Sequence, residues 1–223
     1  MFGLNAGIDF NSNPPTAIDN SALVSTEGSA VMCNPGGQLL FYTNGVNVWD
    51  RNNTLMPRGS GLLGSSSTTQ SSVIVPRPDH KNNYYIFTLA EQGGSNGLTY
   101  SEVDMSLNSG NGDIALNNTT LTKNIPLQPF LTEKLTAIRH SNGVDYWVLV
   151  HGNNDTKFYA FNITSSGPST TAVVSDIGSL HPNFSASGYM KFSPNGKKVA
   201  CAVGNTGSFI ELFDFNDETG ELT

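Results

Sequence analysis

Short apolar runs recur along this chain between polar stretches rich in glycine and asparagine, and most have a strand's length. One arrangement occurs four times: a polar lead-in, an apolar strand, a Gly/Asn/Pro turn, a second strand, a loop, and a third strand rich in aromatics. The first copy opens at Glu27-Gly28-Ser29-Ala30-Val31-Met32 and turns at Asn34-Pro35-Gly36-Gly37. It continues as Leu39-Leu40-Phe41-Tyr42-Thr43, then turns at Asn44-Gly45 into Val46-Asn47-Val48-Trp49. Asn-Gly between apolar alternations signals a hairpin, since both residues tolerate positive φ. The second copy runs Gln70-Ser71-Ser72-Val73-Ile74-Val75, Tyr84-Tyr85-Ile86-Phe87-Thr88 and Leu98-Thr99-Tyr100-Ser101-Glu102-Val103. The third runs Lys134-Leu135-Thr136-Ala137-Ile138, Tyr146-Trp147-Val148-Leu149-Val150 and Lys157-Phe158-Tyr159-Ala160-Phe161-Asn162-Ile163. The fourth runs Tyr189-Met190-Lys191-Phe192-Ser193, Val199-Ala200-Cys201-Ala202-Val203 and Phe209-Ile210-Glu211-Leu212-Phe213-Asp214-Phe215.

Fourth strands are fainter, with candidates at 62–63, 113–116 and 172–174. Four-stranded repeats of roughly 40–50 residues read as blades of a β-propeller. The expected fold is therefore all-β, with about four blades at 27–69, 70–133, 134–188 and 189–223. Residues 1–26 would supply a closing strand and lead-in. Four blades are few for a ring, so the pattern points to an incomplete propeller from a ring of roughly six to eight. A β-sandwich is the alternative, and it predicts strands without the long repeat.

Composition narrows the function classes. The 223 residues carry 11 Lys+Arg against 18 Asp+Glu, a formal charge of −7. Scattered basic residues make an acidic chain a poor nucleic-acid binder, since phosphate contacts need clustered positive charge, so no nucleic-acid partner is expected. No apolar run approaches the roughly 20 residues of a helical membrane span. No basic-then-apolar leader opens the sequence, and Met1-Phe2-Gly3-Leu4 reads as a mature start. Only 13% of residues are charged, while 25 Asn, 24 Ser and 20 Thr suit a turn-rich secreted or surface protein.

Several longer strings carry a family resemblance. They include Asn5-Ala6-Gly7-Ile8-Asp9-Phe10, Thr26-Glu27-Gly28-Ser29-Ala30, and the run from Leu39 through Asn44-Gly45 to Trp49-Asp50-Arg51. Ser67-Thr68-Thr69-Gln70-Ser71, Thr132-Glu133-Lys134-Leu135-Thr136-Ala137 and Gly188-Tyr189-Met190-Lys191-Phe192-Ser193-Pro194-Asn195-Gly196-Lys197 complete the set. Over nearly its whole length the chain resembles the N-terminal β-propeller region of large Bacteroidota surface proteins. Those proteins end in a gliding-motility-associated, type IX secretion sorting domain. The resemblance implies export as part of a longer precursor and an extracellular or cell-surface location. It implies no particular ligand.

Candidate chemistry follows from the repeat. The first strand of each blade lines a propeller's channel, so the lead-in residues form a polar ring at one mouth. These are Glu27, Gln70, Glu133 with Lys134, and Tyr189 with Lys191. The ring would bind a small polar ligand, an ion or a partner's loop; alternatively its members pair with one another and cap strand ends. A carbohydrate-active enzyme would use Glu27 and Glu133 as a carboxylate pair about 5–10 Å apart. The acidic turn with Asp214, Asn216, Asp217 and Glu218 offers oxygen ligands, with calcium as the candidate ion, against a plain turn satisfying its own backbone. The loop 108–113 is similar. The histidines 80, 140, 151 and 181 are dispersed, with His151 expected at a loop surface and no zinc site. Cys33 and Cys201 should be buried free thiols, too distant for a bridge. Trp49 is the candidate exposed aromatic, and the long polar loops 52–69 and 117–132 are the candidate contact loops. The expected function is a non-catalytic recognition or assembly module binding a protein or glycan partner. The alternatives are the enzyme and a self-assembling subunit of a surface filament or layer, paired through an open blade edge.

Overall fold

Apolar residues alternate with polar ones or run unbroken where both sheet faces are covered, and the chain folds accordingly into antiparallel sheets of consecutive strands. The structure is a computed structural model describing residues 1–182, 185–204 and 208–223. The named elements are strands, apart from a 3-10 turn at Asn108–Gly110.

A hairpin of β1 (Gly7–Asp9) and β2 (Thr16–Ile18) precedes the larger sheets. The first of these orders β3 (Ala30–Cys33), β4 (Leu39–Thr43), β5 (Asn47–Asp50) and β6 (Leu55–Ser60). The second joins β7 (Ser72–Pro76), β8 (Asn83–Leu89), β9 (Leu98–Asp104) and the short β10 (Asp113–Ile114). A small hairpin of β11 (Leu116–Asn117) and β12 (Thr120–Leu121) follows, and β13 (Ile125–Gln128) pairs with β9. The third sheet holds β14 (Leu131–Arg139), β15 (Tyr146–Gly152) and β16 (Asp155–Thr164), edged by β17 (Gly167–Pro168) and β18 (Val173–His181). The fourth holds β19 (Met190–Phe192), β20 (Lys198–Val203) and β21 (Phe209–Asp214). Beyond β21 the backbone turns back: Asp214 and Thr223 exchange N–H···O bonds at 2.9 and 3.0 Å, and Leu222 bridges Phe215.

The four sheets stack face to face in chain order. Phe41 and Val48 pack on Ile86 and Val103 between the first and second sheets. Phe87 and Leu98 meet Val148 and Phe161 between the second and third. Leu149 and Phe158 meet Val199, Cys201 and Phe213 between the third and fourth. The first strands lie side by side: β3 touches β7, β7 touches β14, and β14 touches β19. Gly28 permits the first of these approaches, because a Cβ there would stand 2.3 Å from the Ser71 backbone nitrogen.

Several expectations require correction. The fourth strand of the first sheet is β6, not 62–63. Asp50 closes a tight turn by accepting from the Asn52 and Thr54 N–H groups, so pairing resumes already at Leu55. The segments 52–69 and 117–132 are not open loops, since they contain β6 and β11 to β13. The fourth-strand role expected of 113–116 is shared between β10 and β13, both on β9. Asn44 does not take positive φ; Gly45 does, at 86°, while the Asn44 side chain accepts from the Val46 and Asn47 N–H groups. Cys33 is exposed, because it ends β3 at the sheet margin, whereas Cys201 is buried in the core. Trp49 is half-buried, stacked on Tyr42 across the strand pair with ring centroids 5.5 Å apart.

Candidate functional site

The lead-ins to the first, second and fourth of the first strands converge with β14 on one recess of about 490 Å³. Its lining includes Glu27, Gln70, Tyr189 and Lys191, with Val31 and Ile74 among its apolar floor. Glu27, Tyr189 and Lys191 are exposed and make no side-chain hydrogen bond or ion pair among the described residues. They leave an acid, a phenol and an ammonium free for a ligand. Gln70 is spoken for. Its Oε1 accepts from Leu135 N at 3.2 Å and Met190 N at 2.7 Å, and its Nε2 donates to the Met190 carbonyl at 3.1 Å. The amide thereby ties β14 to β19, with β7 following directly at Ser72.

Glu133 and Lys134 do not reach the recess. Both lie within β14, at a register shift between Leu131 and Leu135 where regular alternation lapses, and both are interior, 1% and 0% exposed. The Glu133 carboxylate accepts from the N–H and hydroxyl of Thr69 at 2.9 and 2.8 Å and from Gln92 N at 3.0 Å. The Lys134 ammonium donates to the carbonyls of Ser185, Ala186 and Ser187 at 2.7, 2.9 and 3.1 Å. Burial pulls its pKa below the usual lysine range. These two charges knit loops to strands, and Glu133 does not face Glu27 across the recess, where Glu27 is the sole lining carboxylate among the described residues.

At the acidic turn three of the four expected ligands, Asp214, Asn216 and Asp217, are engaged within the protein. Asp214 pairs with Lys198 at 2.6 Å and Asp217 with Lys197 at 2.5 Å. Asn216 Oδ1 accepts from the Glu218 and Thr219 N–H groups, and Glu218 is exposed. In the 108–113 loop, Asp113 is buried against Arg58 at 2.7 Å.

The histidines depart most from the sequence reading. His151 is wholly buried rather than at a loop surface, because β15 extends through Gly152 and turns its ring onto Phe158. It stacks on His181, ring centroids 3.7 Å apart. Burial drives the His151 pKa down to about 3, with repulsion from His181 adding to it. His181 Nε2 lies 3.0 Å from Glu211 Oε2, and Cys201 sits beside them. Burial raises the Cys201 thiol to about 12. No sequence spacing announces this cluster, since its four members come from four strands brought together by stacking. The pairing of Cys201 with Glu211 across a hairpin was the available signal.

No known family matches the sequence, and no curated protein is similar to it. Among solved structures the chain is similar to the crystal structure of a functionally unknown protein from Desulfotomaculum acetoxidans DSM 771. The two share 12% identity at a TM-score of 0.36, over 99% of this chain and 78% of that one. What stands is the class: an all-β chain of stacked antiparallel sheets.

Proposed function

We propose that this chain is a β-propeller sector acting as a non-catalytic recognition module, and that it holds a protein or glycan partner in the recess between the first strands. The observation that carries the reading is the convergence of the unpaired Glu27, Tyr189 and Lys191 on one recess whose floor is built from β3, β7 and β14. Side-by-side first strands and face-to-face sheets are the geometry of propeller blades, which supports that fold over a sandwich of two sheets. A single carboxylate among the described residues lining the recess supports binding over glycoside hydrolysis, which needs two. The surface-protein resemblance and the low charge favour a secreted or cell-surface setting.

The test is binding of the purified chain to glycan and peptide arrays, followed by affinity measurement on the best ligand. A Glu27→Gln, Lys191→Gln double variant should keep its circular dichroism spectrum and lose at least about tenfold in affinity, the scale of one lost charged contact. Unchanged affinity, or no ligand on either array, would reject the reading. Glycoside turnover that depends on Glu27 would replace it with the enzyme.

A further inference from the structure

We propose that His181, Cys201 and Glu211 form a binding site for a divalent transition metal of the zinc type, at the boundary between the third and fourth sheets. One ligand-type atom from each lies within 4.8 Å of the other two. The scaffold is rigid. Cys201 and Glu211 are directly opposed on β20 and β21, and opposed side chains in an antiparallel pair stand about 5 Å apart at Cβ. His181 arrives at the end of β18, which the Ser179 N–H anchors by donating to Glu211 Oε1 at 2.7 Å. Two N/O ligands on a tetrahedral zinc, each about 2.0–2.2 Å away, stand about 3.4 Å apart. His181 Nε2 and Glu211 Oε2, at 3.0 Å, need open by only a few tenths of an ångström.

The donor set points to the ion. Imidazole, thiolate and carboxylate together suit zinc and its neighbours, whereas calcium takes oxygen alone. Binding forms the metal–sulfur bond as the Cys201 thiol proton leaves to solvent; the His181 Nε2 proton that faces Glu211 in the free chain is lost as Nδ1 takes one up, so the ring ligates as the neutral Nδ1–H tautomer. The nearby Lys134 ammonium opposes a cation, but three carbonyls already hold and screen it.

Cobalt(II) titration of the full chain carrying Cys33→Ser tests the site. That substitution leaves Cys201 as the sole thiol. A stoichiometric endpoint is expected, with a sulfur-to-cobalt charge-transfer band that zinc abolishes and that Cys201→Ser removes. Absence of the band in the Cys33→Ser protein overturns the proposal, and that measurement stands even if Cys201→Ser fails to fold. Persistence of the band in His181→Asn together with Glu211→Gln at undiminished affinity overturns it as well.

Discussion

At the scale of single residues, the interior holds charged and imidazole side chains on partners drawn from distant parts of the chain. Glu133 and Lys134 are adjacent opposite charges within β14. Their burial depends on carbonyls and N–H groups from residues 69, 92 and 185–187, which no local pattern brings near. His151 was illegible for the same reason, its neighbours being His181 and Phe158 on other strands. Its burial has a measurable consequence. The folded value of about 3 lies below the unfolded value of 6.5. Between them the unfolded chain binds a proton that the native state refuses, so stability is complete above pH 6.5 and is lost as pH falls toward 3. The loss attributable to His151 is on the order of 4 kcal/mol, and His181, also lowered by burial, acts in the same direction. Denaturant unfolding in the presence of a chelator should show this fall. A His151→Asn variant should be less stable at neutral pH yet show a visibly flatter profile from 6.5 to 3. An unchanged slope would mean that the ring titrates normally in the native state.

At the scale of elements, the central strands were legible because unbroken apolar runs such as Tyr84 to Thr88 and Tyr146 to Val150 admit one reading once turns bound them. The edge strands were not. β6 contains Pro57 and Gly59, tolerated only because an edge strand leaves its outer groups unpaired. β10 is two residues long and is held by a charge rather than by a pattern. Asp113, 4% exposed, accepts from the Arg58 backbone N–H at 2.9 Å and from its guanidinium at 2.7 Å, joining β6 of the first sheet to β10 of the second. Replacing a buried carboxylate here strands a guanidinium and a backbone donor together. Asp113→Ala should therefore cost about 3 kcal/mol in denaturant unfolding. Asp113→Asn should recover part of that through its remaining carbonyl oxygen. Equal stability of the two variants would assign the loss to charge alone, and a cost below about 1 kcal/mol would show the pair to be dispensable.

At the scale of the whole molecule, stability comes from stacking apolar sheet faces in sequence, and β21 displays both the satisfied and the unsatisfied side of that rule. Phe213 points inward, 8% exposed, and packs its ring on Phe158 with centroids 5.0 Å apart. The adjacent Leu212 and Ile210 point the other way, 65% and 72% exposed, on a face they share with Ala200 across the ladder. In each earlier sheet the corresponding face meets the next sheet. The proposed propeller sector thus predicts that this face is built for a further sheet and contributes nothing to the fold without one. Phe213→Ala should cost about 3–5 kcal/mol, the usual loss for a buried aromatic, while Leu212→Ala should stay within about 0.5 kcal/mol. Sedimentation velocity on the same samples supplies the complementary reading, since exposed apolar faces drive association. If Leu212→Ala proves nearly as costly as Phe213→Ala, and the cost rises with protein concentration, copies of the chain cover the face in solution, and the self-assembling subunit becomes the better description.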